Sequence, residues 1–265
     1  MRMMSIASGS SGNCIYIGSD DTHILIDAGI SRRKIEEGLA QAGLSMKDID
    51  AIFVTHEHSD HIKGLGVISR KDEIPIYTTM GTMKGIRSSS VLGEIPADLF
   101  RQVSADENVK VGDLTVHTFA TSHDAAEPVA YTVSCGEKKV GVCTDLGVYT
   151  DYTVNNLRDS EALLIEANHD VNLLEVGPYP YYLKQRILSK KGHLCNEAGG
   201  RLISSVLNDH IRAVFLGHLS KENNYDRLAY EAVRQEIDLA DNEYQAKDFD
   251  IRIARRDVPS GIVEL

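Results

Sequence analysis

The sequence has few cysteines, no long hydrophobic run and a deficit of positive charge. No stretch approaches the ~18 uninterrupted apolar residues of a membrane span, which excludes an integral membrane protein. The start of the chain, Met1 to Gly9, lacks the apolar core and cleavage site of a secretory peptide. The four cysteines, Cys14, Cys135, Cys143 and Cys195, have no CxxC spacing, which excludes a small disulfide scaffold and favours free thiols. We therefore expect a cytoplasmic protein.

The charge balance limits how the chain could bind nucleic acid. Lysine and arginine number 28 against 39 aspartates and glutamates, giving a formal net charge of −11. Such a chain does not coat nucleic acid by bulk electrostatics, although a local basic patch stays possible. The length of 265 residues, without a Pro-rich or Ser-rich linker, predicts one domain over residues 1–265.

Short β-branched runs alternate with helical patterns, which predicts layered α/β structure with a mixed sheet. The predicted strands are Cys14–Gly18, His23–Asp27, Ala51–Thr55, Leu114–Ala120, Val129–Ser134, Lys138–Thr144, Ala162–Glu166 and Ala213–Leu216. The predicted helices are Ser31–Ala42, Glu197–Leu207 capped by Asn196, and Asp226–Leu239.

The strongest chemical signal is the run Thr55-His56-Glu57-His58-Ser59-Asp60-His61, directly after an apolar strand. Several metal-binding side chains in so short a loop indicate a metal site. Two histidines at i and i+2 in an extended turn point the same way and can bind one ion. The following aspartate and histidine can reach a second ion close by.

Three later predicted strands each end at a further candidate ligand, which suggests a dinuclear site. Two cations about 3.5–4 Å apart require a shared carboxylate, and Asp145 is the best-placed candidate. The remaining ligands then form one set for each ion: His56, His58 and His123 for the first, and Asp60, His61 and His218 for the second. Mixed histidine and carboxylate ligands suit Zn²⁺ or Mn²⁺, and Fe is compatible with them.

This order of ligands resembles the metallo-β-lactamase superfamily over nearly the whole chain. The resemblance implies an α/β fold, a four-layer αβ/βα sandwich with the metals at the edges of two sheets. It also implies that Asp27, in Leu25-Ile26-Asp27-Ala28-Gly29, orients a metal ligand. A turn at the end of the strand is the alternative role for this aspartate.

Within the superfamily, the second half of the chain is similar to the tRNA 3′-processing ribonucleases, on Leu163–Asn168, Gly192–Ala198 and Leu216–Ser220. The match implies that Glu166 orients His193 and that His193 protonates the leaving oxygen. A helix-capping histidine and a buried paired glutamate are the alternative roles. The gap between His123 and Asp145 holds only a short strand pair, where those ribonucleases carry a protruding arm.

With the segments Ser8–Asn13, Ser122–Ala125 and Glu166–Asp170, the sequence most resembles the YycJ (WalJ) group, which is associated with 5′→3′ exonuclease activity on DNA. The resemblance predicts a dinuclear phosphodiesterase in which a metal-bridging hydroxide attacks phosphorus and Asp60 helps to orient it. The alternatives are a hydrolase of a small ester, thioester or phosphodiester, an endoribonuclease, and a metal-stabilised binding module.

Substrate contacts cannot be assigned from the sequence. The Ser8–Asn13 loop could present backbone N–H groups to a phosphate or form a tight turn. The basic cluster Lys184, Arg186, Lys190 and Lys191 leads into His193 and could lie at the mouth of the site, although such clusters are usually solvated faces. Tyr179, Tyr181 and Tyr182 lie just upstream and could stack on bases or join a core. The oligomeric state does not follow from the sequence.

Overall fold

A computed structural model describes residues 1–265. The chain forms fourteen strands. They are β1 (Arg2–Ala7), β2 (Cys14–Gly18), β3 (His23–Ile26), β4 (Ala51–Phe53), β5 (Ile76–Thr78), β6 (Phe100–Gln102), β7 (Asn108–Val111), β8 (Leu114–Ala120), β9 (Val129–Cys135), β10 (Lys138–Cys143), β11 (Ala162–Glu166), β12 (Ala213–Gly217), β13 (Ile251–Ile253) and β14 (Val263–Glu264).

Nine α-helices connect or flank these strands. They are α1 (Arg32–Leu39), α2 (Ser59–Ile62), α3 (Leu65–Lys71), α4 (Met80–Ser88), α5 (Asp151–Leu157), α6 (Val171–Val176), α7 (Tyr181–Ile187), α8 (Asn196–Ser204) and α9 (Asp226–Asp238).

The strands form two seven-stranded mixed sheets of matching design. The first has the order β14-β1-β2-β3-β4-β5-β6 and the second β13-β12-β11-β10-β9-β8-β7. In the first sheet, pairing is antiparallel from β14 to β3 and parallel from β3 to β6. In the second, it is antiparallel from β7 to β10 and parallel from β10 to β13. Each sheet therefore has three parallel pairs whose strands end at one edge.

Three apolar layers hold the fold together, one between the sheets and one under the helices on each outer side. Strand β4 illustrates the division, because Ala51 and Phe53 belong to the layer between the sheets and Ile52 to the layer beneath α1 and α3. On the opposite side, Val233 and Ile237 of α9 recur at helical spacing and pack beneath the second sheet. Helices and sheets thus form the expected four-layer αβ/βα sandwich.

The predicted elements agree with the structure except at some boundaries. The predicted helix Ser31–Ala42 is α1 followed by a 3₁₀ turn at Ala40–Ala42, with Ser31 as its N-cap. The prediction that Asn196 caps a helix is wrong, because Cys195 occupies the N-cap position and Asn196 is the first residue of α8. The Asn196 side chain instead exchanges hydrogen bonds with the buried Asn224, which satisfies its amide within the protein.

Candidate metal centre and its acid–base pair

The candidate ligands lie where strands of both sheets end. The loop after β4 and the short helix α2 that follows it carry four of them, and single residues follow β8, β10 and β12. Asp27, Asp145 and His218 have φ angles of 62°, 59° and 54°, in the left-handed region that side chains other than glycine rarely adopt. Backbone strain of this kind is concentrated at functional sites, where the surrounding structure maintains it.

The first group of ligands is His56, His58 and His123, whose nitrogen atoms lie within 4.8 Å of one another. His123 Nδ1 donates to the carbonyl of Gly192 at 3.0 Å, so its Nε2 faces the cluster, 3.3 Å from His58 Nδ1. His56 Nδ1 lies 3.0 Å from the hydroxyl oxygen of Thr55, and its buried Nε2 has no hydrogen-bond partner. Burial and the neighbouring His61 hold the pKa of His56 well below its ordinary value, which favours the neutral form that binds metals.

The second group is Asp60, His61 and His218. His61 Nε2 lies 3.5 Å from Asp60 Oδ2, and His218 Nε2 lies 3.9 Å from the same oxygen. The backbone of His218 is held on both sides, because its N–H donates to Ser8 Oγ at 2.9 Å and its carbonyl accepts from Asn168 at 2.8 Å. These contacts keep the imidazole of a strained residue aimed into the cluster.

Asp27 forms hydrogen bonds beside both groups of candidate ligands. Its Oδ2 accepts the Nδ1–H of His61 at 2.7 Å, and its two oxygens accept the backbone N–H and the hydroxyl of Thr55 at 2.8 and 2.9 Å. Because the Thr55 hydroxyl gives its proton to Asp27, it accepts from His56 Nδ1. One carboxylate thus fixes the tautomers of two histidines and turns their Nε2 atoms toward the cluster.

Asp145 lies between the two groups. Its Oδ2 is 3.4 Å from His61 Nε2 and 3.2 Å from His218 Nδ1, and its Oδ1 is 3.8 Å from His123 Nε2. Burial opposes ionisation, but the imidazoles of His218 and His61 keep the pKa of Asp145 well below its ordinary value. The carboxylate is therefore placed where a shared ligand would be needed.

The cluster has the properties of a site for divalent cations. Asp145 Oδ2, His218 Nδ1 and His56 Nε2 are all buried and make no hydrogen bond, because the 3.2 Å contact between the first two atoms lacks hydrogen-bond geometry. Buried polar atoms are rarely left without partners, and here they converge on one small region of nitrogen and carboxylate donors. These donors fit a divalent metal, which would satisfy the atoms that the protein itself leaves unpaired.

Glu166 and His193 form a close pair beside the cluster. Glu166 Oε1 lies 2.7 Å from His193 Nδ1, and Oε2 accepts the backbone N–H groups of Leu146 and Leu194 at 3.2 and 3.0 Å. Burial opposes protonation of His193, yet the charge and the hydrogen bond of Glu166 raise its pKa to about 9. His193 is not a helix cap, since α8 begins only at Asn196 and its N-cap is Cys195.

Sequence reasoning missed the part played by Asn13. Its side chain lies 3.0 Å from His61 Nε2, and its backbone N–H donates to the carbonyl of Asp60 at 2.8 Å. Its Oδ1 accepts the N–H of Gly9 at 2.9 Å, and Gly12 N–H bonds to Gly9 O, so the Ser8–Asn13 loop is a turn closed on itself. An asparagine in a Gly-rich loop was the available signal, but a turn alone accounts for that residue type.

Comparison with known proteins gives the chain its family. A family profile described as "Beta-lactamase superfamily domain" matches residues 22–206. The chain is 40% identical over 233 residues to "Exodeoxyribonuclease YycJ" of Bacillus anthracis, covering 88% of each chain. The chain belongs to the metallo-β-lactamase superfamily, in its YycJ/WalJ group. It is also 39% identical over 236 residues to "Exodeoxyribonuclease WalJ" of Streptococcus pneumoniae, covering 89% of this chain and 88% of that one.

The fold of this metallo-β-lactamase superfamily member is shared with solved structures. Human tRNase Z, short form, superimposes with a TM-score of 0.64 at 15% identity, covering 100% of this chain and 99% of that one. Only β9 and β10 lie between His123 and Asp145 here, as the sequence predicted. The chain is an enzyme, a metal-dependent hydrolase that binds divalent cations. None of its helices is long and apolar enough to cross a membrane.

Proposed function

We propose that this metal-dependent hydrolase is a nuclease that degrades DNA from the 5′ end and uses two divalent ions. The observation that carries the proposal is the position of Asp145 between two ligand groups, with the Glu166–His193 pair beside it. The names of its YycJ and WalJ relatives support DNA as the substrate. The direction is the one expected from the resemblance to that group.

Each residue of the site has a distinct task in this proposal. His56, His58 and His123 would hold one ion, Asp60, His61 and His218 would hold the other, and Asp145 would serve both. Zn²⁺ and Mn²⁺ both suit these donors, and Fe is compatible with them. Ions bound there would polarise the phosphate and lower the pKa of water.

Asp60 is placed to orient the attacking water, because its side chain is 21% exposed whereas His61 and Asp145 are buried. An exposed carboxylate oxygen at the edge of the cluster can accept a hydrogen bond from water on the solvent side. Both Asp60 and His61 belong to helix α2, where Asn13 bonds to Asp60 and Asp27 bonds to His61. We infer that this support fixes the direction of attack.

In this proposal His193 supplies a proton to the leaving alcohol. Glu166 occupies Nδ1, so the proton available to substrate is the one on Nε2. The side chain is 17% exposed, while Glu166 is fully buried behind it. The imidazole therefore presents one face to the substrate while the carboxylate keeps its orientation.

The proposal is tested with metal-reconstituted protein on labelled polymers. Single-stranded DNA, duplex DNA and RNA, each labelled at the 5′ or the 3′ end, are followed over time, with Asp145→Asn as the inactive control. Early release of the 5′ label as a mononucleotide, absent in the variant, is the expected result. A 5′ label that stays on a long product would show that degradation starts at the 3′ end. Internal cuts in RNA would favour an endoribonuclease.

A hydrolase of small esters is the second candidate, because the same ligands suit that reaction. The Glu166–His193 pair disfavours it, since an activated small ester needs little help with its leaving group. Hydrolysis of small esters with no cleavage of any polymer would establish this second function. A metal-loaded protein that hydrolyses neither would be a binding module.

The four free cysteines are consistent with the cytoplasmic location that we also propose.

A further inference from the structure

The segment between α6 and α8 carries an unusual surface next to the candidate metal centre. Tyr181 and Tyr182, at the start of α7, are 77% and 74% exposed. Lys190 and Lys191, in the loop after α7, are also exposed. We call these four residues the tyrosine–lysine surface. The tyrosines do not join a core, so that interpretation of the aromatic run is wrong for both.

The charge of this surface contrasts with that of the rest of the chain. No aspartate or glutamate occurs between Glu175 and Glu197, although the whole chain has a formal net charge of −11. Neither Lys190 nor Lys191 has a carboxylate within salt-bridge distance, in contrast to Arg186, which pairs with Asp124. The two ammonium groups are therefore free to meet an external anion.

Hydrogen bonds tie this segment to the centre. Arg186 bonds to Asp124, whose Oδ1 is 3.4 Å from His123 Nε2. The hydroxyl of Ser122 donates to the carbonyl of Lys190 at 2.6 Å, and His123 Nδ1 donates to the carbonyl of Gly192 at 3.0 Å. The loop that carries both lysines is thus held against a candidate ligand.

An open cleft lies beside the loop and reaches one residue of the cluster. Lys191 and His123 both line it, and its volume is about 480 Å³. The seven-residue helix α7 spans roughly 10 Å, so the tyrosines lie a short distance beyond the same loop. One seven-residue helix and one short loop therefore connect the tyrosines to Lys191 in the cleft.

We propose that the tyrosine–lysine surface binds a single-stranded segment of the nucleic acid whose phosphodiester lies at the metal centre. Exposed aromatic rings stack on unpaired bases, whatever the sequence, and free lysines contact the phosphates between them. Stacking on a tyrosine requires a base that is not paired, which favours a single strand over a duplex. The proposal rests on the proposed nuclease function and adds a binding surface to it.

A second protein is a less suitable occupant. A stable protein interface buries about 800 Å² on each partner around a dehydrated apolar centre, whereas here two tyrosines stand next to free charges. The lysines can bind the phosphate of a nucleotide, and the tyrosine rings can stack on its base. A membrane surface would match the lysines and is included as an outcome of the test.

The test measures binding and catalysis separately. Binding of a fluorescent single-stranded oligonucleotide is followed by anisotropy in chelator, where no cleavage occurs. Tyr181→Ala/Tyr182→Ala is expected to weaken binding roughly thirtyfold or more, and Tyr181→Phe/Tyr182→Phe to retain it. Lys190→Ala/Lys191→Ala is expected to reduce the slope of log Kd against log salt by about 1.4, which the tyrosine change leaves unaltered. Hydrolysis of bis-p-nitrophenyl phosphate by the metal-loaded variants and by the wild type is compared, because this small substrate reports on the metal centre alone.

Matched controls lie at the ends of the strands opposite the candidate metal centre. Leu239→Ala removes another exposed apolar side chain after α9, and Lys47→Ala removes an exposed lysine before β4. Both are expected to bind the oligonucleotide like wild type.

Each result separates the surface from the nuclease proposal. The tyrosine and lysine variants could bind with wild-type affinity and salt slope and still degrade DNA. That result would contradict the proposed binding surface and leave the nuclease function standing. Binding that depends on the surface without cleavage of any polymer would overturn the nuclease function alone. Loss of binding to anionic phospholipid vesicles, with oligonucleotide binding intact, would identify a membrane surface instead and overturn the proposal.

Discussion

Glu166 holds the imidazole of His193 at a distance of 2.7 Å between Oε1 and Nδ1. The other carboxylate oxygen accepts two backbone N–H groups, one of which belongs to Leu194, the residue after His193. Glu166 therefore fixes both the ring and the loop that carries it. Because Asp145 Oδ1 lies only 3.7 Å from His193 Nδ1, this pair stands directly beside the metal cluster.

Replacing His193 tests the proposed proton donor. We expect His193→Ala to lower kcat by about 10²–10⁴ on DNA, whose alcohol leaving group needs a proton. The loss on bis-p-nitrophenyl phosphate should be much smaller, because nitrophenolate leaves without help. His210→Ala, at an exposed histidine, is the control. Equal losses on both substrates with unchanged metal content would argue against proton donation.

Replacing Glu166 separates orientation from stability. Glu166→Gln keeps the volume of the side chain but removes the charge that holds His193 protonated, so kcat on DNA should fall toward that of His193→Ala. Glu166→Ala should also destabilise the fold, because Leu146 and Leu194 each lose a buried acceptor, at about 1–3 kcal/mol per group. Urea unfolding and single-turnover kinetics measure the two effects. A Gln variant with wild-type kcat would contradict the role of the charge.

Asp27 is predicted to control metal affinity without touching substrate. Asp27→Asn weakens the contact that fixes His61 Nδ1, and asparagine tolerates the φ of 62° at this position. We expect metal affinity to fall about 10–100-fold, measured by competition with a chelator. Asp113→Asn, at an exposed aspartate outside the cluster, should leave the affinity unchanged. Equal affinities for the two variants would show that Asp27 is a turn residue only.

Gly29 is predicted to leave the room that the backbone of Asp60 needs. A Cβ at this position would lie 1.6 Å from the carbonyl oxygen of Asp60, so Gly29→Ala must move the loop. We expect a loss of about 1–3 kcal/mol in the free energy of unfolding, together with a loss of bound metal. Gly43→Ala is the control, because its Cβ meets nothing and its φ of 72° strains the backbone far from the ligands. A Gly29 variant that binds metal like Gly43→Ala would contradict this account.

The candidate ligand run could be recognised in the sequence because its residues are adjacent and follow an apolar strand. The strands Cys14–Gly18, Leu114–Ala120 and Ala162–Glu166 were predictable to the residue, since their apolar runs end at turns. Strand β5 was not, because Ile76-Tyr77-Thr78 is short and only partly apolar, whereas the segment Ala51–Val54 around β4 is apolar throughout.

The contacts that position the candidate ligands were harder to predict from the sequence. The contact between Asn13 and His61 joins residues far apart in the chain, and the left-handed backbone at His218 depends on tertiary contacts with Ser8 and Asn168. The capping prediction for Asn196 failed because Asn224 offers its side chain a buried partner. At these residues tertiary contacts determine the conformation, and local sequence preferences predict it wrongly or not at all.

The most direct test of the account is the metal content of the reconstituted protein, measured by mass spectrometry beside its nuclease activity. The account predicts two divalent ions per chain in the wild type, and loss of metal and of DNA degradation together in Asp145→Ala, whose carboxylate lies between the two ligand groups. Circular dichroism checks that the variant is folded. One ion per chain with full activity, or a folded Asp145 variant that degrades DNA at the wild-type rate, would contradict it.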